Sequence, residues 1–353
     1  MEVILAINPG STSTKIAIYQ DKEEKFVKEI AHSVEELSRF PTLSDQKEYR
    51  IHTILEAVKE AGYVCSQFTA VTGRGGLLRP LQAGTYQINE KMVEDAIHGT
   101  YGEHASNLGC VIAYEIGKEY HIPAYTTDPV SVDEWSENAK ITGIKEIRRV
   151  ALDHPLNVRA VIRRHCEENH LPFDHTNFIV AHLGGGVSVA AFQEGKLIDS
   201  NNANESGPFS ATRAGTLPVI SVINACFQEG ATLKGIKSQF LKKAGLYSYL
   251  GTNDLREVLK RIEQGDAYAA FILDAWVYQI SKEIGAQAAV LKGNVKAILL
   301  TGGMANSQRM VEGIRSRVSF IAPIVVYPGS DELLSLSLAA LRTNQGTETF
   351  LTY

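Results

Sequence analysis

Two short runs of small residues have the make-up of phosphate-binding turns. The first is Asn8-Pro9-Gly10-Ser11-Thr12-Ser13-Thr14-Lys15. Gly, Ser and Thr present backbone N–H groups and hydroxyls with little bulk, which suits a polyphosphate that takes many donors at close range. Lys15 adds a point charge. The second is His182-Leu183-Gly184-Gly185-Gly186, where three glycines give His182 room to face a ligand. One such turn alone is more often an ordinary solvated hairpin, and a lone histidine more often a satisfied core residue. Two such turns, each opening one half of the chain, point to a nucleotide held in a cleft between the halves.

Other residues fit the same chemistry. Arg213 stands among small residues in Ser206–Gly215, and Arg74 stands in Gly73-Arg74-Gly75-Gly76. A guanidinium fork matches a carboxylate or a transferring phosphoryl group, and a surface ion pair is the plain alternative for each. Gly302-Gly303-Met304-Ala305-Asn306 follows a strand-like run and precedes a helix-like stretch, where glycines let the backbone approach a flat or anionic ligand. This is neither a GxxxxGK[ST] loop nor a GxGxxG fingerprint, which disfavours a P-loop or Rossmann site. Magnesium takes one or two carboxylates together with phosphate oxygens and water. Asp128 and the Asp331-Glu332 pair at a helix start are the candidates, with a helix N-cap the alternative for Asp331.

These residues need elements to position them. Residues 3–7 and 15–19 read as the two strands of a hairpin around the first turn, and 177–183 and 187–192 as a second hairpin around the three glycines. Sliding the chain by 175 residues lays 4–17 over 179–192, with Ile4 on Ile179, Ala6 on Ala181, Gly10 on Gly185 and Ser13 on Ser188. That pattern suggests an internal duplication. Apolar spacing predicts a helix over 45–62, helical stretches within 91–120 split at Gly99–Gly102, and a largely helical 145–169. Further helices are expected near 216–229, 232–242, 253–264 and 266–291, with a last one at 331–343 and a short polar tail. Strands are expected at 68–72, 122–127, 295–301 and 324–327.

The chain of 353 residues is long enough for two ordinary domains. Hydrophobic residues at 44% and charged residues at 21% are those of a soluble globular protein. The net charge of -5 argues against nucleic acid as the main partner. No apolar run is long enough to cross a bilayer, and the opening MEVILAINPG carries an acid where a signal peptide carries a base. Cys65, Cys110, Cys166 and Cys226 form no CxxC pair and read as reduced thiols of a cytoplasmic protein.

In order, the Asn8–Lys15 turn, His182–Gly186, Thr212-Arg213-Ala214-Gly215 and Gly302–Asn306 resemble the acetate kinase family, of the actin, heat-shock chaperone and sugar-kinase superfamily. Gly73–Gly76, His104-Ala105-Ser106-Asn107-Leu108-Gly109 and Asp128-Pro129-Val130 look like its butyrate kinase branch. The resemblance implies an α/β protein of two duplicated ribonuclease H-like (actin-like ATPase) domains with the active site in the cleft between them. Residues 1–150 with the C-terminal segment 331–353 would form the acyl-substrate side, and 151–330 the nucleotide-binding side. Asn8, Ser11, Ser13 and Lys15 would line the transfer site with Gly184, Gly185 and Gly186, and His182 and Arg213 would contact the phosphoryl group. Asp254 and Arg256 would lie near base and ribose, Gly302, Gly303, Met304 and Asn306 would hold the adenosine, and Asp128 and Glu332 would serve Mg²⁺.

The implied reaction is reversible transfer from ATP to a short-chain acid, giving ADP and an acyl phosphate, in a homo-oligomer associating through the second half. Butyrate leads among acceptors; isobutyrate, acetate, propionate and an actin-like or chaperone-type ATPase are the alternatives. Small residues at Ala181 and Gly73 suggest room for extra methylenes. Acetate kinases carry the substrate arginine in a motif resembling H-R-V-V-H-G-G. Val71 stands at that arginine's place here, so Arg74 or Arg79 would take its part.

Overall fold

The computed structural model describes residues 1–353. Its strands are β1 (Val3–Pro9), β2 (Ser13–Gln20), β3 (Glu23–Ala31), β4 (Ala70–Gly73), β5 (Thr85–Gln87) and β6 (Ala124–Thr127). They continue with β7 (Phe178–Leu183), β8 (Val187–Gln193), β9 (Lys196–Ser200), β10 (Ala297–Gly302), β11 (Ile324–Pro328) and β12 (Leu351–Thr352). The chain forms two compact units. Unit 1 is Met1–Asp133, Pro155–Asn157 and Asp331–Tyr353, and unit 2 is Glu134–His154 and Val158–Ser330. The chain thus first passes between units at Asp133–Glu134, upstream of the expected boundary at 150.

Unit 1 carries a sheet of order β12-β5-β6-β4-β1-β2-β3. Its interior strand β1 reads as an unbroken apolar run because both faces are covered. Side chains alternate between faces with a period of two. Leu5, Ile7, Ile16 and Ile18 pack with Ile54 and Val58 of helix Lys47–Glu60 and Ile112 of helix Asn107–Tyr120. Ala6, Ala17 and Tyr19 face the other way, onto Leu333 and Leu336 of helix Glu332–Asn344. Unit 2 has the sheet β11-β10-β7-β8-β9. Ile179, Ala181, Val189 and Ala191 pack with Trp276 and Ile280 of helix Ala267–Val290. Phe178, Val180, Ala190 and Phe192 pack with Val158 and Ile162 of helix Pro155–Asn169.

The strand orders β3-β2-β1-β4-β6 and β9-β8-β7-β10-β11 coincide, and so do their senses. In each, three strands pair antiparallel and the next two join in parallel. The repeat seen faintly in residue identities is therefore plain in topology.

Several stretches differ from the sequence expectation. Helix Pro155–Asn169 begins at its proline, not at 145, because proline suits the first helical position and His154 before it is not helical. Upstream of it, Ile144, Ile147 and Val150 are exposed. The tail is not a loose polar end: β12 pairs with β5, and Tyr353 is buried with its hydroxyl donating to Asp95 Oδ2 at 2.9 Å. The charge-rich β3 escapes an apolar-run search because it is an edge strand with only partly buried residues. A short helix at Gly245–Leu250 was also unexpected.

Unit 1 depends on one close backbone approach. A Cβ on Gly73 would strike the Gly109 carbonyl, and a Cβ on Gly109 would strike the Arg74 carbonyl. Strand β4 and helix Asn107–Tyr120 thus meet through two residues without side chains. Gly285 lies within helix Ala267–Val290 with nothing within 4 Å of such a Cβ. Gly109→Ala should lower unfolding free energy by about 1–3 kcal/mol, the cost of overpacking. Gly285→Ala should raise it by about 0.8–1 kcal/mol, the helix-propensity difference. Urea unfolding of both variants checks this, and opposite signs are expected.

Candidate active site

In unit 1 the first turn is shaped by β1 and β2. Asn8 and Lys15 are direct partners in that pairing. They therefore share the face of Ala6 and Ala17, which helix Glu332–Asn344 covers. Asn8 Nδ2 donates to Glu332 Oε2 at 2.6 Å. The Arg74 N–H donates to the Ile7 carbonyl at 2.9 Å, which brings Arg74 alongside Asn8, and its Nη1 pairs with Glu332 Oε1. The Arg74 and Glu332 side chains are 16% and 17% exposed, so this pair is far less screened than a surface pair.

The members of the two open choices have different surroundings. Asp331 is the helix N-cap, its Oδ1 accepting from the Leu334 N–H at 2.9 Å, while Glu332 joins Asn8 and Arg74. Arg79 lies 4.3 Å from the centre of the Tyr353 ring, away from that cluster. Val71 is fully buried in the core of unit 1.

Lys15 is half exposed, 3.6 Å from Glu29, and the Ser13 hydroxyl donates to the same carboxylate at 2.8 Å. Ser11 is exposed at the tip. Asp128 is buried at a left-handed turn (φ 42°), and its Oδ1 accepts from the Gly84 N–H at 2.7 Å. No group of three or more His, Cys, Asp or Glu is placed to hold a metal. The carboxylates are hard oxygen donors, but both Glu332 oxygens already serve Asn8 and Arg74. They suit a magnesium ion carried mainly by phosphate and water, not a cage of protein ligands.

In unit 2, His182 stands next to last in β7, on the face of Phe178 and Val180. Its ring stacks on His154, with centroids 4.0 Å apart and planes at 13°, and His154 Nδ1 lies 3.0 Å from Ser188 Oγ. The glycines make room for neighbouring candidate side chains. A Cβ on Gly184 would come within 2.9 Å of His182 Nε2, and one on Gly186 within 2.6 Å of Arg213 Nη1. The Gly185 carbonyl accepts from the Ser210 hydroxyl at 2.8 Å, and Ser210 Oγ accepts from the Arg213 N–H at 3.2 Å. Arg213 has no carboxylate partner, and burial lowers its guanidinium pKa. Such a cation gains from any anion that reaches it.

A cavity of about 810 Å³ opens beside this turn, lined by Gly185, Ala211, Thr212, Asn253, Asp254, Leu255, Arg256, Leu259, Gly303, Met304, Asn306 and Ser307. Its size is that of a cofactor site. Asp254 caps helix Leu255–Glu263 and grips the Arg256 guanidinium at 2.6 and 3.0 Å, which holds its carboxyl below the usual range. Asn306 Nδ2 donates to the Gly303 carbonyl at 2.9 Å. Gly302 is not in this lining; its φ is 89°, and a Cβ there would strike the Leu183 carbonyl.

The structure corrects the acyl-pocket reasoning. Ala181 is fully buried in the core of unit 2, and Gly73 is small because Gly109 presses against it. Neither supplies room for extra methylenes. Sequence reading also missed Arg50, His32 and His154. Arg50 stands four, seven and eight residues before buried Ile54, Ala57 and Val58. An arginine on an apolar stripe was a readable signal.

The model of the acetokinase family matches residues 135–322. The chain belongs to the acetokinase family. A family relative named "Probable butyrate kinase 2", from Caldanaerobacter subterraneus subsp. tengcongensis, is 47% identical over 98% of both chains. "Butyrate kinase 1" of Clostridium acetobutylicum is 46% identical over the same shares. The crystal structure of Porphyromonas gingivalis acetate kinase superposes with a TM-score of 0.81, at 21% identity, over 98% of this chain and 99% of that one. That likeness carries the fold of this acetokinase.

His32 packs against the first turn. It is buried, with Nε2 2.8 Å from Thr14 Oγ1 and Nδ1 3.1 Å from Tyr49 Oη. Burial, and then the nearby Arg50 charge, hold its pKa below 6.5. The unfolded chain therefore binds a proton more readily than the folded one. Its contribution to stability is full above about pH 6.5 and is lost as pH falls through the lower folded value. Buried His165 in unit 2 acts in the same sense. Unfolding free energy should fall between pH 7 and 5, and His32→Asn should flatten part of that slope in urea titrations.

Proposed function

We propose that this acetokinase transfers the terminal phosphoryl group of ATP to the carboxylate of a short-chain fatty acid, with butyrate as the leading acceptor. The observation that carries the reading is 46–47% identity, over 98% of both chains, to relatives named as butyrate kinases. A carboxylate oxygen attacks the terminal phosphorus in line, the bond to the bridging oxygen breaks, and ADP leaves with that electron pair. The same steps in reverse make ATP. The acceptor has a pKa of about 4–5, like a Glu side chain, and is already ionised at pH 7. No general base is needed, so catalysis rests on positioning and charge neutralisation.

The site residues divide by unit in this reading. In unit 2 the cavity lined by Asp254, Arg256, Gly303, Met304 and Asn306 takes the adenosine, with Gly302 setting the backbone behind it. Gly184, Gly185, Gly186, His182 and Arg213 take the phosphates. In unit 1, Asn8, Ser11, Ser13 and Lys15 receive the phosphoryl group, and Arg74, held by Glu332, orients the acid. Asp128 and Glu332 would be the residues on the side of a nucleotide-bound Mg²⁺, which when bound would supply further charge neutralisation. The repeated strand order supports a duplicated ribonuclease H-like fold of the actin-like type.

The apolar helix Val219–Cys226 buries none of its residues; Val219 and Ile220 are 70% and 68% exposed, and Phe227 after it is 86% exposed. Patches of this kind mark association surfaces, and we take this one as the homo-oligomer contact. No helix is long and apolar enough to cross a membrane. The four cysteines are unpaired, which suits the cytoplasm.

An acyl-hydroxamate assay with acetate, propionate, butyrate, isobutyrate and valerate tests the activity. Butyrate should give the highest kcat/KM; a preference for acetate would overturn the acceptor assignment. Arg213→Ala should keep its fold and lose roughly 10²–10³ in kcat, as on losing one oxyanion donor, and near wild-type turnover would refute its role. Ile220→Asp should lower the mass seen in sedimentation.

A further inference from the structure

Arg50 is fully buried on helix Lys47–Glu60, and no carboxylate pairs with it. Its guanidinium spends its donors on the first turn. Nη1 donates to the carbonyls of Gly10 at 3.0 Å and Ser13 at 3.2 Å, and to Thr14 Oγ1 at 2.9 Å. Nη2 donates to the Ser11 carbonyl at 3.3 Å. Gln46 Oε1 anchors the fork from behind, accepting from Nε at 3.1 Å and Nη2 at 2.9 Å. The remaining carbonyl, of Thr12, accepts from the His32 N–H at 2.8 Å. All four carbonyls from Gly10 to Ser13 are thus engaged by the protein. What exposed Ser11 and Thr12 offer to solvent is N–H and hydroxyl.

We propose that Arg50 is a positioning residue for phosphoryl binding: from beneath, it gathers the turn's carbonyls so that only donors face the phosphate. The inference rests on the kinase reading above and extends it to a residue that touches no substrate. Two physical features support it. A carbonyl facing a phosphoryl oxygen would repel it, and a turn this rich in Gly and Ser does not fix its peptide orientation unaided. The buried cation also favours an anion on the far side of the turn, where little water screens it. Lysine cannot replace this function, because an ammonium lacks the planar fork that reaches several carbonyls at once.

The test uses full-length protein with Arg50→Lys, Arg50→Met and Gln46→Leu, checked for folding by circular dichroism. Calorimetry gives affinity and stoichiometry for MgATP and MgADP. Because the turn is proposed to hold the transferring group, Arg50→Lys should weaken MgATP by about tenfold or more, the scale of lost charge-assisted hydrogen bonds, at a stoichiometry near one and with MgADP affinity little changed. The kcat for butyrate should fall with it. Gln46→Leu should show the same split more weakly, which keeps the test decisive if neither Arg50 variant folds. Unchanged MgATP affinity, equal losses for MgATP and MgADP, or a lower stoichiometry at unchanged affinity would each overturn the proposal and leave a plainly structural residue. Wild-type protein that makes no hydroxamate from any short acid would instead refute the kinase reading.

Discussion

In the proposed reading, the orientation of a few peptide groups governs the chemistry of this chain. A phosphate is recognised at close range by N–H and hydroxyl groups, and each peptide that presents an N–H also carries a carbonyl that must point elsewhere. In unit 1 the carbonyls of Gly10, Ser11 and Ser13 turn down onto Arg50, and that of Thr12 onto the His32 N–H. The β1–β2 hairpin brings the turn to this place. Helix Lys47–Glu60, which packs under Leu5, Ile7, Ile16 and Ile18, brings Arg50 beneath it. The apolar core on one face of the sheet is therefore what aims the polar turn.

Unit 2 solves the same problem differently with the same strand order. Its turn has no buried arginine among the contacts of its carbonyls; Gly185 is held by the Ser210 hydroxyl instead. Here the glycines matter for what they leave out. Absent side chains at 184 and 186 let His182 and Arg213 come to the backbone. One hairpin carries serine and threonine hydroxyls over a clamp, and the other, with gaps left by glycine, makes room for its own His182 and for Arg213 from a later loop. If the halves share an origin, the shared part is the strand–turn–strand frame, and the chemistry has diverged within it.

Much of this was legible in the residues. Both hairpins, the strands they join and most helices follow from apolar runs and glycine punctuation, and the candidate nucleotide residues other than Gly302 do line one cavity. What escaped has physical causes. Strand β3 is an edge with charged residues, so it lacks the apolar signature of its neighbours. The start of helix Pro155–Asn169 was decided by a proline that outweighed the apolar residues before it. Ala181 and Gly73 read as pocket walls in the sequence because small residues are ambiguous. The same smallness serves a pocket, a core or a backbone contact, and only packing tells which. Arg50 was missed because a search for function looks for charge on loops, while this charge sits on the buried stripe of a helix.

The two arginines nearest the candidate chemistry differ in a way that suits different tasks. Arg213 has burial but no acid beside it, so its charge is compensated only when an anion arrives. That favours the state of greatest negative charge, which in phosphoryl transfer is spread over the equatorial oxygens of the moving group. Arg74 already has Glu332 on one nitrogen, and Glu332 is steadied by Asn8. A guanidinium has five donors in a plane, so one acid fixes its direction and leaves others for a second carboxylate. If that second acid is the acceptor, as proposed, the attraction for it is weakened by the first, which tempers ground-state binding. Under the proposed reading, an unpaired cation would stand where charge moves and a paired one where charge is already present at the start, an arrangement that lowers a barrier without deepening the well before it.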